Sequence, residues 1–219
     1  MLTAIWTFTS RIKPHPLVPS LSPPHFISGA AISRAPFYLK GKCSPTETRN
    51  FWDNDLMTIK EQGKGDYTHL NFEYTDAGSF DNLDPKEVRQ VYAVCFYDDK
   101  MIIGFGGKKN DWGLIGGTIE PGESYIDTLK REIKEESNME VLTYAPIGYQ
   151  KVKDATDSSN VIQLRYACKV RPYGEFKEDP AGSILEIKLI DPKEYKKYFD
   201  WGQIGERIIQ RAIELKSSL

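Results

Sequence analysis

No apolar run in this 219-residue chain exceeds about seven residues, Val91 to Tyr97, where a membrane-spanning helix needs roughly 20. No basic surplus exists either: 29 Lys and Arg face 31 Asp and Glu, a net charge of −2. That argues against an electrostatic grip on a nucleic-acid polymer. Cysteine is scarce and odd in number (Cys43, Cys95 and Cys168, far apart in sequence), so neither a zinc knuckle nor a disulfide framework can be read. A reducing compartment is the expectation, with the cytoplasm as default. His15, His25 and His69 have no sequence partners that suggest Ser-His-Asp or zinc chemistry.

A local absence divides the chain. From Met1 to Thr46 there is no acidic residue, against five basic ones (Arg11, Lys13, Arg34, Lys40 and Lys42) and seven of the 13 prolines. Proline removes a backbone donor and biases its predecessor away from helix. Residues 1–56 therefore read as a disordered leader that is dispensable for function. Its basic, Ser-rich, acid-free character is that of an organellar transit peptide, and a partner-binding tail is a further alternative. Residues 57–219 read as one globular domain.

Within that domain, residues 57–87 look like an irregular lead-in. Val88–Asp98 and Met101–Gly106 read as a hairpin around Asp98-Asp99-Lys100. Both alternating sets of Val91–Tyr97 are apolar, which predicts a strand covered on both faces. Ser124–Ser137 places Ile126, Leu129 and Ile133 at helical spacing. Val141–Lys153 and Ile184–Ile190 read as strands. Val161–Val170 alternates, with Ile162, Leu164, Tyr166, Cys168 and Val170 on one side and Gln163, Arg165 and Lys169 on the other. From Gln203, a helical stripe carries Ile204, Ile208, Ala212 and Leu215. Helices packed on a mixed β-sheet, an α/β (α+β) class, is the expected architecture.

The segment most informative about chemistry is Trp112 to Met139, WGLIGGTIEPGESYIDTLKREIKEESNM. Glu132 and Glu136 stand four apart, and Glu135 is three from Glu132. Like charges at those spacings destabilise a helix by a few tenths of a kcal/mol, and the C-terminal half disfavours anions through the dipole. A solvated face, with Lys130, Arg131 and Lys134 as local partners, is the ordinary explanation. A bound hard cation is the other, because Mg²⁺ takes carboxylate oxygens together with water and substrate phosphates. Ahead of the helix, Gly116-Gly117 lets backbone approach a ligand closely.

Gly117, five residues, Glu123, seven residues, then Arg131-Glu132-Ile133-Lys134-Glu135-Glu136-Ser137-Asn138-Met139 closely resembles the box of the Nudix hydrolase (MutT-like) family, G-x5-E-x7-R-E-U-x-E-E-x-G-U. The match covers residues 117–139. Two departures leave every carboxylate in place. Asn138 occupies the helix-ending glycine, and Asn is the next-best residue for a left-handed terminus. Ile115 stands where many members have proline.

The resemblance implies an αβα sandwich and hydrolysis of a nucleoside diphosphate linked to another moiety, with Mg²⁺ or Mn²⁺ as cofactor. It implies Glu132 and Glu136 as metal ligands, Glu135 as a ligand and a candidate for activating the nucleophile, and the Gly116 carbonyl as a further ligand. Arg131 would pair with Glu123 and hold the loop. A nucleotide-type small molecule is the implied partner, and a homodimer a possible assembly. Glu175, Glu178, Asp179 and Glu186 are candidates for an extra acidic residue, and Trp112, Tyr149, Tyr173 and Trp201 for stacking on a base; none is assigned. Two rivals are a catalytically silent Nudix-fold nucleotide sensor and a prenyl-diphosphate isomerase using Cys95, which the apolar strand around Cys95 argues against.

Overall fold

The computed structural model describes residues 57–107 and 110–219. The leader at 1–56, with His15, His25 and Cys43, lies outside the described residues. Among those described, the elements in chain order are β1 (Thr58–Gln62), β2 (Leu70–Asp76), β3 (Val88–Tyr97), β4 (Lys100–Gly106), β5 (Asp111–Gly113), β6 (Ile115–Thr118), α1 (Tyr125–Ser137), β7 (Met139–Asp154), β8 (Asn160–Pro172), β9 (Ile184–Ile190) and α2 (Gly202–Leu215). The strands order as β1-β2-β7-β8-β3-β4-β5, with β6 on β3 and β9 on β4. β3 and β8 run parallel, and the other pairs described are antiparallel. This is the mixed sheet with helices that composition and patterning predict.

Strand alternation sorts the core into two layers. Val91, Ala93 and Cys95 of β3 and Leu164, Tyr166 and Cys168 of β8 pack with Leu129 and Ile133 of α1. Their neighbours Val94, Phe96 and Ala167 pack with Ile204, Ile208 and Ala212 of α2. Both faces of β3 are covered, as its doubly apolar run requires. Each fully buried side chain of this size contributes roughly 1.5–3 kcal/mol. The hairpin turn closes with Asp98 at φ 50, a conformation that aspartate tolerates better than most residues.

Residues 57–87 are irregular only in part: 77–87 form turns, but two strands precede them. Leu70, Phe72 and Tyr74 alternate on β2, which pairs with β7 from Leu70↔Asp154 to Asp76↔Gly148. β1 has only Ile59 as an apolar residue and forms as the edge partner of β2. From β1, Glu61 reaches the start of α2 and accepts from the N–H groups of Gln203 (3.2 Å) and Ile204 (3.0 Å). A carboxylate there satisfies orphan donors and meets the positive end of the helix dipole. On β2, Asp76 pairs with Arg207 of α2, accepting from its Nε at 3.1 and 3.2 Å. Gln163 and Arg165, on the polar side of the β8 alternation, are 5% and 2% exposed, on the face where Ala167 packs with α2.

Candidate active site

The helix bearing the glutamates starts where its sequence says it should. Ser124, extended at φ −77 and ψ 161, caps α1 by accepting from the Asp127 N–H, while its hydroxyl donates to Asp127 Oδ2 at 2.6 Å. α1 ends on Asn138 at φ 53 and ψ 38, in the left-handed region, with the Asn138 N–H on the Lys134 carbonyl. The Asn138 side-chain amide also donates to the Glu175 carbonyl at 3.0 Å, a bond glycine could not make.

On α1, Arg131 organises the acidic groups. A guanidinium has five N–H donors, and here each has an acceptor. Nε donates to Glu123 Oε1 at 2.7 Å and Nη2 to Glu123 Oε2 at 3.0 Å. Nη2 also donates to the Thr118 carbonyl at 3.0 Å. Nη1 donates to Glu132 Oε1 at 2.8 Å and Glu135 Oε2 at 3.2 Å. Glu123 accepts in addition from the Glu120 N–H at 3.0 Å and the Thr128 hydroxyl at 2.9 Å. The Arg131 hydrogen bonds come first among the causes that hold the Glu123 carboxyl down to about 2. Arg131 is itself pushed further above its ordinary value, chiefly by Glu123. Among the described residues, Lys130 and Lys134 form no ion pair with these glutamates; Lys134 lies over the Tyr173 ring instead.

The two glycines set how closely the loop meets the helix. Gly116 donates its N–H to Glu136 Oε2 at 2.8 Å, and Glu136 is 5% exposed. A Cβ on Gly116, at φ +145, would fall 2.2 Å from the Val91 carbonyl oxygen. A Cβ on Gly117 would fall 2.4 Å from Glu132 Oε1 and 2.6 Å from its Cδ. Glycine is thus required at 116 by backbone and at 117 by the Glu132 carboxylate. Burial raises the Glu132 carboxyl above its ordinary value despite Arg131, and the charges of Glu135 and Asp179 add to that. A profile of the NUDIX domain matches residues 70–212.

The chain belongs to the Nudix hydrolase family. With that membership goes the reaction class, hydrolysis of a pyrophosphate linkage. Among solved structures, a mutant form of the Bacillus subtilis pyrophosphohydrolase aligns at TM-score 0.56 and 16% identity, covering 73% of this chain and 97% of that one. A NUDIX hydrolase from Nitrosomonas europaea aligns at TM-score 0.49 and 20% identity, covering 58% and 88%. At such identities these likenesses are of fold. No curated protein sequence matches.

Residues outside the Nudix box fall into place around it. Asp179 accepts from the N–H groups of Ala181 (2.9 Å), Ser183 (2.7 Å) and Ile184 (3.0 Å), so it shapes the approach to β9. Glu186 lies 3.5 Å from Lys188 on β9, and Glu175 and Glu178 are exposed. Trp112 packs against Phe105 and Tyr198, and Trp201 against Phe199. Tyr149 packs in the α1 layer, whereas Tyr173 is open at 58% exposure. His69 stands 3.8 Å from Asp154. Cys95 is fully buried beside Cys168, out of reach of any substrate carbon. No described helix is long and apolar enough to cross a membrane.

Proposed function

We propose that residues 57–219 form a divalent-cation-dependent diphosphatase that cleaves a nucleoside diphosphate linked to a second moiety, with water attacking phosphorus. The observation that carries the reading is the set of three carboxylates, Glu132, Glu135 and Glu136, gathered by Arg131 and the Gly116-Gly117 loop. Both local helix rules disfavour them there.

The donor set fits a hard cation. All the side-chain donors are carboxylate oxygens, Glu132 is half-buried with its charge disfavoured, and Gly117 leaves the space a side chain would fill. Among the described residues no three such side chains close round a single point. Mg²⁺ characteristically uses one or two carboxylates and completes its shell with water and substrate phosphate, which suits an open set. Glu132, Glu136 and the Gly116 carbonyl would hold it, with Glu135 directly or through water. When bound, the ion supplies neutralisation of the diphosphate and a lowered pKa for the attacking water.

The chain's own groups do the rest. Arg131 and Glu123 lock the loop to α1 and so fix where the carboxylates aim. Glu135, the most exposed of the glutamates at 36% of its side chain, has the longest bond to Arg131 at 3.2 Å. That makes Glu135 the candidate for accepting the proton of the nucleophilic water. Glu136→Gln tests the reading. The amide oxygen can still accept from the Gly116 N–H, so the melting temperature should stay within a few degrees while turnover with Mg²⁺ falls by at least about 100-fold. Full activity in excess chelator, or in Glu136→Gln, would refute it.

A further inference from the structure

On the α1 face of the sheet lies a hollow that the proposed reaction does not use. It occupies about 450 Å³ between the 78–85 turn, the first turn of α1 and the middle of β7 and β8. That is within the roughly 300–1,000 Å³ of small-molecule sites. Four aromatic side chains line it: Phe80, Tyr125, Tyr144 and Tyr166. Tyr166 is their centre. The Phe80 ring stands 5.3 Å from it at 80°, and the Tyr144 ring 6.0 Å from it at 77°. Two rings are thus nearly perpendicular to a third. Glu132, Glu135 and Glu136 belong to later turns of α1, and none of them reaches the hollow.

Its polar groups are unspent. Tyr166 is 3% exposed, yet its hydroxyl has no hydrogen-bond partner among the described residues, and neither do those of Tyr125 and Tyr144. A buried tyrosine hydroxyl usually finds one. Charge around the hollow has one sign. Asp81 is the one charged residue that lines it; it accepts from the Ser79 hydroxyl at 2.5 Å and forms no ion pair among the described residues. Asp84 forms none either, and its charge reaches the Tyr125 hydroxyl. Among the described residues no Lys or Arg lies over any of the four rings, although other aromatics of the domain, such as Tyr173 and Trp112, carry a lysine. An anion such as a nucleotide would meet carboxylates here with no countercharge. A wholly apolar guest would leave Asp81 and three phenols unused.

We propose that this hollow is a binding site for a small organic ammonium ion, with Phe80, Tyr125, Tyr144 and Tyr166 as its aromatic walls and Asp81 as its countercharge. Aromatic rings attract ammonium groups through the ring quadrupole, and a carboxylate adds a charge-assisted contact. The phenol oxygens can accept from N–H groups, while Ile126, Leu83 and Pro146 offer apolar surface to a hydrocarbon stem. The site stands apart from the diphosphatase reading and does not depend on it.

The test measures dissociation constants on the full chain, in excess Mg²⁺, for choline and butylammonium. Their neutral counterparts, 3,3-dimethylbutan-1-ol and pentan-1-ol, serve as references of similar shape. At least one ammonium ion should bind at least about threefold tighter than its counterpart. A stronger preference for choline shows that the rings hold an alkylated head, and one for butylammonium that the phenol oxygens accept from N–H groups. Asp81→Asn keeps an acceptor for Ser79 and removes the charge; Tyr144→Leu keeps apolar bulk and removes a ring. Both positions are exposed, so melting temperatures should stay within a few degrees while each substitution takes away most of the preference. Equal binding of ions and alcohols, or binding of neither ion, overturns the proposal. So does a preference that survives both substitutions. A preference lost in Glu136→Gln but kept in Asp81→Asn places the cation among the α1 glutamates and overturns it equally.

Discussion

Alanine at position 117 would bring a Cβ within 2.4 Å of Glu132 Oε1, 2.7 Å of Oε2 and 2.6 Å of Cδ. The backbone at 117 does not have a positive φ, so the whole conflict is with one carboxylate at the end of a flexible chain. Glu132 must move by about 1 Å to reach ordinary contact distance. The move costs the bond from Arg131 Nη1, worth roughly 1.5–3 kcal/mol for a charged pair, and is partly offset by about 0.4–1 kcal/mol of lost unfolded-state freedom. A net loss of about 1–2 kcal/mol in a domain of this size lowers the melting temperature by roughly 2–8 °C. Activity should suffer more. A displacement of about 1 Å at a positioning group can cost about 100-fold in rate, equivalent to about 2.7 kcal/mol of barrier. The assay pairs thermal melting with kcat/KM on any diphosphate the wild-type chain cleaves with Mg²⁺. Full turnover in Gly117→Ala would refute the placement of Glu132 at the reacting centre. A fall of more than about 15 °C would show that the glycine serves the fold rather than the carboxylate.

Acid titration reports on Glu123. Its carboxyl is held from an ordinary 4.5 down to about 2, so the stability it contributes is present above about pH 4.5 and is lost as pH falls toward 2. Glu123→Gln should be less stable at neutral pH by roughly 1–3 kcal/mol, with a flatter melting temperature across that window, and a wild-type slope in the variant would disprove the pairing's role. At the other end of α1, Asn138→Gly should be close to neutral, since left-handed freedom gained offsets the lost bond to Glu175. Asn138→Val should cost on the order of 1–2 kcal/mol and lower turnover; equal melting temperatures for the two variants would contradict the left-handed terminus.

How far the sequence could be read depended on whether a residue's partner was local. The α1 stripe, the Ser124 cap, the Asn138 terminus and the spacing of Glu123, Arg131 and the later glutamates are relations within about 20 residues, and each was legible. β2 carried a readable signal in Leu70, Phe72 and Tyr74, obscured because the next position in the alternation is Asp76, buried only through Arg207. β1 had no signal of its own; a strand with Ile59 as its one apolar residue exists because β2 offers an edge. Arg165 lay on the polar side of the β8 alternation, and alternation alone does not say whether something distant in sequence buries that side, as happens here.

The clasp between the ends of the described domain has a kinetic consequence. Glu61 meets the start of α2 across 142 and 143 positions of sequence, and Asp76 meets Arg207 across 131. Loop-closure entropy makes such contacts slow to form and late to be rewarded. During synthesis β1 and β2 emerge well before the helix they anchor, so Asp76 waits without its countercharge and one face of the sheet stays open until α2 docks. Removing the last dozen residues should therefore arrest folding rather than trim it, leaving an apolar sheet face exposed to other chains.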